Sequence, residues 1–173
     1  MRSAKRSGKT ISAGDQMKTN AMRILDSGKV KYEVLEYDLD KDLFSGEAVS
    51  DLLGLDYSQC YKTLALKHDH DVYICVISVK DELDLKKCAK ALNVKNVEMV
   101  HVKDLLKLVG YERGSVTPVG VKKNKGIYFD DEVMNHETIE ISGGAYGIGL
   151  KVNRDELLKY LKAQVKELVK DEL

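Results

Sequence analysis

Proline occurs once in this sequence, at Pro118, and tryptophan is absent. A chain this poor in proline holds no Pro-rich linker, and no other interdomain linker or internal repeat divides it. It reads as one domain with enough residues for a core. Net charge is also missing, since 28 basic residues balance 28 acidic ones. Proteins that grip long nucleic acid are usually basic, so the balance argues against extensive phosphate contact. Only local basic clusters stand out, at Lys86, Lys87, Lys90 and Lys95 and at Lys122, Lys123 and Lys125. No apolar run approaches ~18 residues, which argues against a helical membrane span. No apolar segment of signal-peptide type lies near the N-terminus, which argues against secretion. Cysteine is scarce and odd in number. Cys60, Cys75 and Cys88 sit in apolar segments at spacings that match no metal pattern, and read as buried, reduced thiols of a cytoplasmic protein. No cofactor and no metal are expected.

Two short motifs carry less than they suggest. Lys170-Asp171-Glu172-Leu173 is an ER-retrieval tetrapeptide, which acts only on a chain that has entered the ER; here it reads as the end of a charged helix. Gly8-Lys9-Thr10 looks like the tail of a phosphate-binding loop, but position 3 is Ser3 and no strand pattern precedes it. Residues 1–16 hold one large apolar residue, Ile11, with four basic groups and one acidic, and read as a disordered extension or a non-native remnant. The folded domain is expected over 17–173. Without the extension the balance becomes 24 basic against 27 acidic.

From there strands and helices are mixed. Asn20 is placed to cap a short helix that Gly28 ends. Val30, Tyr32 and Val34 alternate as a strand, and Leu35 and Tyr37 continue on the other parity, which predicts a bulge. Ser45 opens a helix with Val49, Leu52 and Leu53 inward. Strands over 60–66 and 72–79 flank the polar turn His68-Asp69-His70-Asp71. Asp84 caps a helix with Leu85, Cys88, Ala89 and Leu92 on one face, and a second helix buries Val102, Leu105, Leu106 and Val109. Eight of the thirteen glycines then fall between 110 and 149, among short strands. Asn153 and Glu156 form a capping box for a last helix with Leu157, Leu158, Leu161, Val165, Leu168 and Val169 inward. The order lacks a strict βαβ rhythm and predicts an α+β fold with a mostly antiparallel or mixed sheet.

Candidate chemistry concentrates in three places. In "CYKTLAL", strand parity puts Lys62 with Cys60, Leu64 and Leu66 on the more apolar face. Such a lysine either snorkels to solvent or projects into a pocket, where it could meet a phosphate, a carboxylate or a polarised carbonyl. In "GSVTPVG", Gly114 permits positive φ and close backbone approach, while Pro118 fixes φ and holds Thr117 extended. The segment is a connecting turn or a stiff binding loop. Ser142-Gly143-Gly144 is either a tight hairpin or a row of amides for an anion. No nucleophile elbow, paired-carboxylate motif or metal set accompanies them, and His68, His70, His101 and His136 lie in polar or boundary positions.

Four stretches in order, "YKTLAL", "LDLKKCAKALNVKNVEM", "GYERGSVTPVG" and "ISGGAYG", resemble the YbaK/EbsC family, and most of all its Cys-tRNA(Pro) deacylases. The resemblance spans about residues 20–165. It implies a single α+β domain with a curved, barrel-like mixed sheet flanked by helices. It implies a free-standing trans-editing enzyme that cleaves the ester between a mischarged amino acid and the terminal adenosine of tRNA. Lys62 is then the residue most closely tied to activity. Gly114, Ser115, Thr117, Pro118 and Gly120 shape the adenosine and ester site. Ser142, Gly143 and Gly144 form another wall, Tyr37 belongs to the pocket, and Asp130 matches a family aspartate of unassigned role. Cys-specific members use the substrate's own thiol, so no protein nucleophile is required. The implied partners are the aminoacyl-tRNA acceptor end and prolyl-tRNA synthetase; oligomeric state is not legible. Two departures stand out: Ala145-Tyr146 where many relatives carry basic residues, and Ser115 where relatives often carry glycine. Rival readings are a non-catalytic module that binds the acceptor end or a nucleotide, and a deacylase for another small amino acid such as alanine that uses water.

Overall fold

The computed structural model describes residues 7–11 and 18–172. Helix α1 (Asn20–Ser27) is capped by the Thr19 hydroxyl, which accepts from the Met22 amide at 3.2 Å, one residue earlier than expected. Strand β2 (Tyr32–Asp38) follows, then α2 (Gly46–Leu53), opened by Ser45 and closed by Gly54 at φ 69°. The hairpin β3 (Tyr61–His68) and β4 (Asp71–Ser78) turns through Asp69 and His70. Asp84 caps α3 (Leu85–Leu92) as expected, accepting from the Lys86 and Lys87 amides. Then come β5 (Glu98–Met99) and α4 (Val102–Val109). After the glycine-rich stretch β6 (Ile127–Asp130), β7 (Thr138–Ser142) and β8 (Ile148–Asn153) lead to α5 (Arg154–Leu161), capped by Asn153.

Three expectations change. β2 contains no bulge: it pairs with β8 in unbroken register from Tyr32↔Val152 to Glu36↔Ile148. Val34 and Leu35 are both buried because the strand is covered on both faces, which breaks the alternation without breaking the ladder. The last helix stops at Leu161, with Lys162 left-handed at φ 54°; Gln164–Lys166 then form β9, parallel to β6, so the chain end is not a charged helix. Within the expected extension, Ser7–Ile11 form an edge strand β1 along β2; residues 1–6 and 12–17 lie outside the described residues.

β1, β2, β8 and β7 form a four-stranded antiparallel sheet, and β5, β3, β4, β6 and β9 a five-stranded mixed one. A parallel bridge between Cys60 and Glu140 joins them, so β7 abuts β3 and the strands bend through one curved, unclosed surface. This is the α+β domain with a curved mixed sheet. The principal core lies on one of its faces, with Met22 and Leu25 of α1, Ile74, Phe129, Ile139, Ile141 and Leu150 sealed from solvent. A second cluster packs α3 through Cys88 and Leu92 onto Leu66, Cys75 and Ile77. All three cysteines are buried and unpaired. Each fully buried Leu, Ile or Phe contributes about 1.5–3 kcal/mol, which fixes the strand faces and hence the site below. α4 is less covered than expected, with Val102 and Leu106 more than half exposed.

Candidate functional site

Alternation along the four-stranded sheet separates two faces. Val34, Ile139, Ile141, Leu150 and Val152 enter the core. Leu35, Tyr37, Glu140, Ser142 and Gly149 occupy the opposite face, where Tyr37 packs with Val49 of α2. The Cys60–Glu140 bridge carries this second face across the seam, so Cys60 and Lys62 share it with Glu140 and Ser142. β3 pairs with β5 only at Leu66 and Lys67, which leaves its edge over Tyr61–Leu64 facing an opening. A cavity of about 420 Å³ lies there. Phe44, Ser45 and Gly46 at the start of α2 form one wall, and Met99, Val102 and Leu105 another.

Tyr37, Lys62, Gly114 and Ser142 line the cavity together, although they are dispersed over more than 100 residues of sequence. Lys62 is half-buried and has no hydrogen-bond or ion-pair partner among the described residues. Arg113 and Glu47 also line the space but are exposed to solvent. Burial pushes the Tyr37 phenol up to about 12, so it stays neutral at physiological pH.

The two glycine-rich segments are tied to each other. The Ser142 hydroxyl donates to the Ser115 carbonyl at 3.1 Å and accepts from the Gly144 amide at 3.1 Å. Gly144 needs its positive φ of 87°, and a Cβ there would lie 3.3 Å from both Ala21 and Tyr111. Thr117 and Pro118 are buried behind the wall, with every peptide trans among the described residues. Gly120 packs so closely on α1 that a Cβ would lie 2.6 Å from Ile24. These residues hold the wall rather than line it. Gly143 donates its amide to the Ile148 carbonyl at 2.8 Å. Both glycine amides are therefore engaged within the β7–β8 hairpin, and the amide row considered for an anion is not free. Ser115 turns its hydroxyl to the Glu112 carbonyl at 3.0 Å and is not a lining residue. Tyr146 sits beside Gly114, edge-on to Tyr37 at 5.7 Å and tilted against Phe44, with its hydroxyl on the Leu39 carbonyl. Lys41 stands 5.5 Å over its ring.

Asp130 is elsewhere. It is buried beneath the chain end, where one carboxylate oxygen accepts from the Leu168 amide at 3.0 Å and the other from the Glu132 amide at 3.1 Å. It joins β6 to the C-terminal strand and does not line the cavity.

Sequence reading missed Glu140. Its carboxyl is buried and pushed up to about 8, a shift that a hydrogen bond from the Cys60 thiol only partly opposes. The thiol is itself pushed up to about 12, by burial first and then by Glu140, which makes it a poor nucleophile. The signal was an acidic residue at an alternating position of "TIEIS", a pattern that usually marks a solvated face. The buried Thr63 hydroxyl, also in the cavity wall, has no hydrogen-bond partner among the described residues. No histidine lines the cavity, and no cluster of metal-ligating side chains occurs among the described residues. Chemically the site offers one unpaired ammonium, one neutral carboxyl and polar hydroxyls in an apolar chamber.

Residues 40–160 match the family model of the aminoacyl-tRNA editing domain. An Enterococcus faecalis protein, EbsC, named as a candidate Cys-tRNA(Pro)/Cys-tRNA(Cys) deacylase, is 36% identical over 158 residues, covering 91% of this chain and 96% of its own. The crystal structure of a candidate trans-editing enzyme for prolyl-tRNA synthetase superposes with a TM-score of 0.76 at 22% identity, over 90% of this chain and all of the other. That of the hypothetical protein APE2540 gives 0.79 at 21% identity, over 88% of this chain and all of the other. At that identity the two structures speak for the fold.

Proposed function

We propose that this chain, which belongs to the aminoacyl-tRNA editing domain family, is a free-standing deacylase that clears mischarged Cys-tRNA(Pro) in trans. The observation that carries the reading is the unpaired Lys62 ammonium in a mostly apolar cavity that holds no protein nucleophile poised for attack. Burial holds Glu140 at about 8, so its carboxyl is mostly protonated at neutral pH. In this reading the nucleophile is the substrate's own thiol, as in the Cys-specific members that the chain resembles. Its sulfur bonds to the ester carbonyl carbon, the bond from that carbon to the ribose oxygen breaks, and the leaving oxygen takes the thiol proton. The products are tRNA with a free hydroxyl and a cyclic thiolactone, which water later opens.

The chain's own contribution is position and charge. Lys62 donates to the carbonyl oxygen as it becomes an oxyanion, and the apolar walls strengthen that contact. Gly114, without a side chain, leaves the backbone open to the terminal ribose. The Ser142 clamp keeps Gly114 at a fixed distance from β7. Tyr37 closes the side near α2. The reaction would run in the cytoplasm, with prolyl-tRNA synthetase as the source of substrate.

Incubation with Cys-tRNA(Pro) and Ala-tRNA(Pro), with trapping of the thiolactone, tests the reading. Rapid loss of the cysteinyl ester with trapped thiolactone is expected. Equal loss of both esters would replace the thiol route by water attack. Loss of neither, with a folded protein, would leave an acceptor-end binding module.

A further inference from the structure

Glu140 has no part in that chemistry, yet the fold accommodates it at some cost. Burying a carboxyl without a charged partner is unfavourable. Here it lines the cavity, at 6% exposure, between the seam strands. Space is made for it, because a Cβ on Gly149 would lie 2.4 Å from its Oε2. Lys151 is its cross-strand neighbour on β8, yet no ion pair joins them. Lys62 on β3 makes none either, Cys60 contributes only a thiol, and Glu47 of α2 and Tyr37 of β2 are acidic or neutral. The cavity thus holds a cation for a developing anion and, separately, a carboxyl with no cationic partner among the described residues.

An aminoacyl ester carries both complements. Its carbonyl becomes anionic in the reaction, and its α-amino group is a cation or a base one carbon away. We propose that Glu140 binds the free α-amino group of the substrate, and so restricts the site to esters whose amine is unblocked. This rests on the deacylase reading. A neutral amine takes the Glu140 proton, whereas an ammonium displaces that proton to solvent; both routes end in a carboxylate–ammonium pair. The pair forms only when substrate fills the chamber, so its charges offset each other where water is excluded. Glu140 is a specificity residue that touches the substrate away from the bond that breaks.

The test compares Cys-tRNA(Pro) with its N-acetylated form, in wild type and in Glu140→Gln. Wild type should favour the free amine by about tenfold or more in kcat/KM, and the variant should lose most of that ratio, chiefly through KM, because a charge-assisted hydrogen bond has become a neutral one. Equal rates for the two esters in wild type, or an unchanged ratio in the variant, would overturn the assignment. A parallel binding experiment uses 3′-cysteinylamido-3′-deoxyadenosine, which cannot be deacylated by ester cleavage, with and without an acetyl group. If wild type cleaves neither ester, the deacylase reading fails and the binding preference alone decides for or against Glu140. No preference, or no binding of either analogue, decides against it. Because wild type alone supplies these comparisons, a variant that fails to fold does not rescue the proposal.

Discussion

Lys62 and Glu140 occupy one cavity and stand in opposite relations to charge. Lys62 has no ion-pair partner among the described residues, so removing it leaves no orphaned carboxylate behind. Lys62→Ala should therefore retain its melting temperature within a few degrees while kcat falls by about 10²–10³-fold, the usual loss for one oriented donor at an oxyanion. Full activity in that variant would remove Lys62 from the mechanism. Glu140 behaves differently because its carboxyl is held at about 8, above the ordinary carboxylate range. The unfolded chain releases this proton near pH 4–5 and the folded one only near 8, so the folded state binds the extra proton between them and stability falls as pH rises through that window. Cys60, Lys62, Lys151, Tyr37 and Glu47 share its surroundings, and none replaces the missing cation. Glu140→Gln should flatten the decline in melting temperature between about pH 5 and 8; an unchanged profile would mean that the carboxyl is solvated. Lys62 was legible from strand parity together with family resemblance. Glu140 was not, because its burial depends on α2 and on a seam between strands 80 residues apart in sequence.

At the scale of elements, the glycine-rich loop and the β7–β8 hairpin act as one wall because the Ser142 hydroxyl bonds to both. Ser142→Ala deletes both bonds and leaves the Ser115 carbonyl and the Gly144 amide without them. The expected cost is about 1–2 kcal/mol of stability, with a higher KM for the acylated tRNA as Gly114 loses its anchor. A variant with unaltered KM would show that the loop holds its shape unaided. Most elements could be read locally, because Ser45, Asp84 and Asn153 cap helices with their own side chains. The misread ones depend on distant partners. Leu161, Val165 and Leu168 continue a helical spacing, yet Val165 pairs with Phe129 in β9, and Leu168 is held by Asp130. β1 has almost no apolar pattern, since an edge strand can be recruited by backbone pairing alone. Pro118 was legible as a stiffener, but its place behind the wall rather than in it follows from how α1 packs beneath the loop.

For the whole molecule, the decisive quantity is the balance of 28 basic and 28 acidic residues. A chain with no net charge has little long-range attraction for a polyanion. On the deacylase reading proposed above, recognition of tRNA is concentrated at the acceptor end, beside the cavity. Among the described residues the cations available there are Lys62 within, Arg113 at the opening, and Lys41 over the Tyr146 ring. Lys41, from the segment before α2, brings a positive charge to the Tyr146 ring. A single-stranded end releases counterions with a slope of about 0.7 per neutralised phosphate, so two or three contacts predict a slope of roughly −1.5 to −2 in log(kcat/KM) against log salt. Lys41→Ala and Arg113→Ala should each reduce that slope by somewhat less than ~1, without altering the rate at saturating substrate. A steep slope, near that of proteins making six to ten phosphate contacts, would place tRNA across a far larger surface. It would point to the lysine clusters of α3 or of residues 122–125 as the missing contacts.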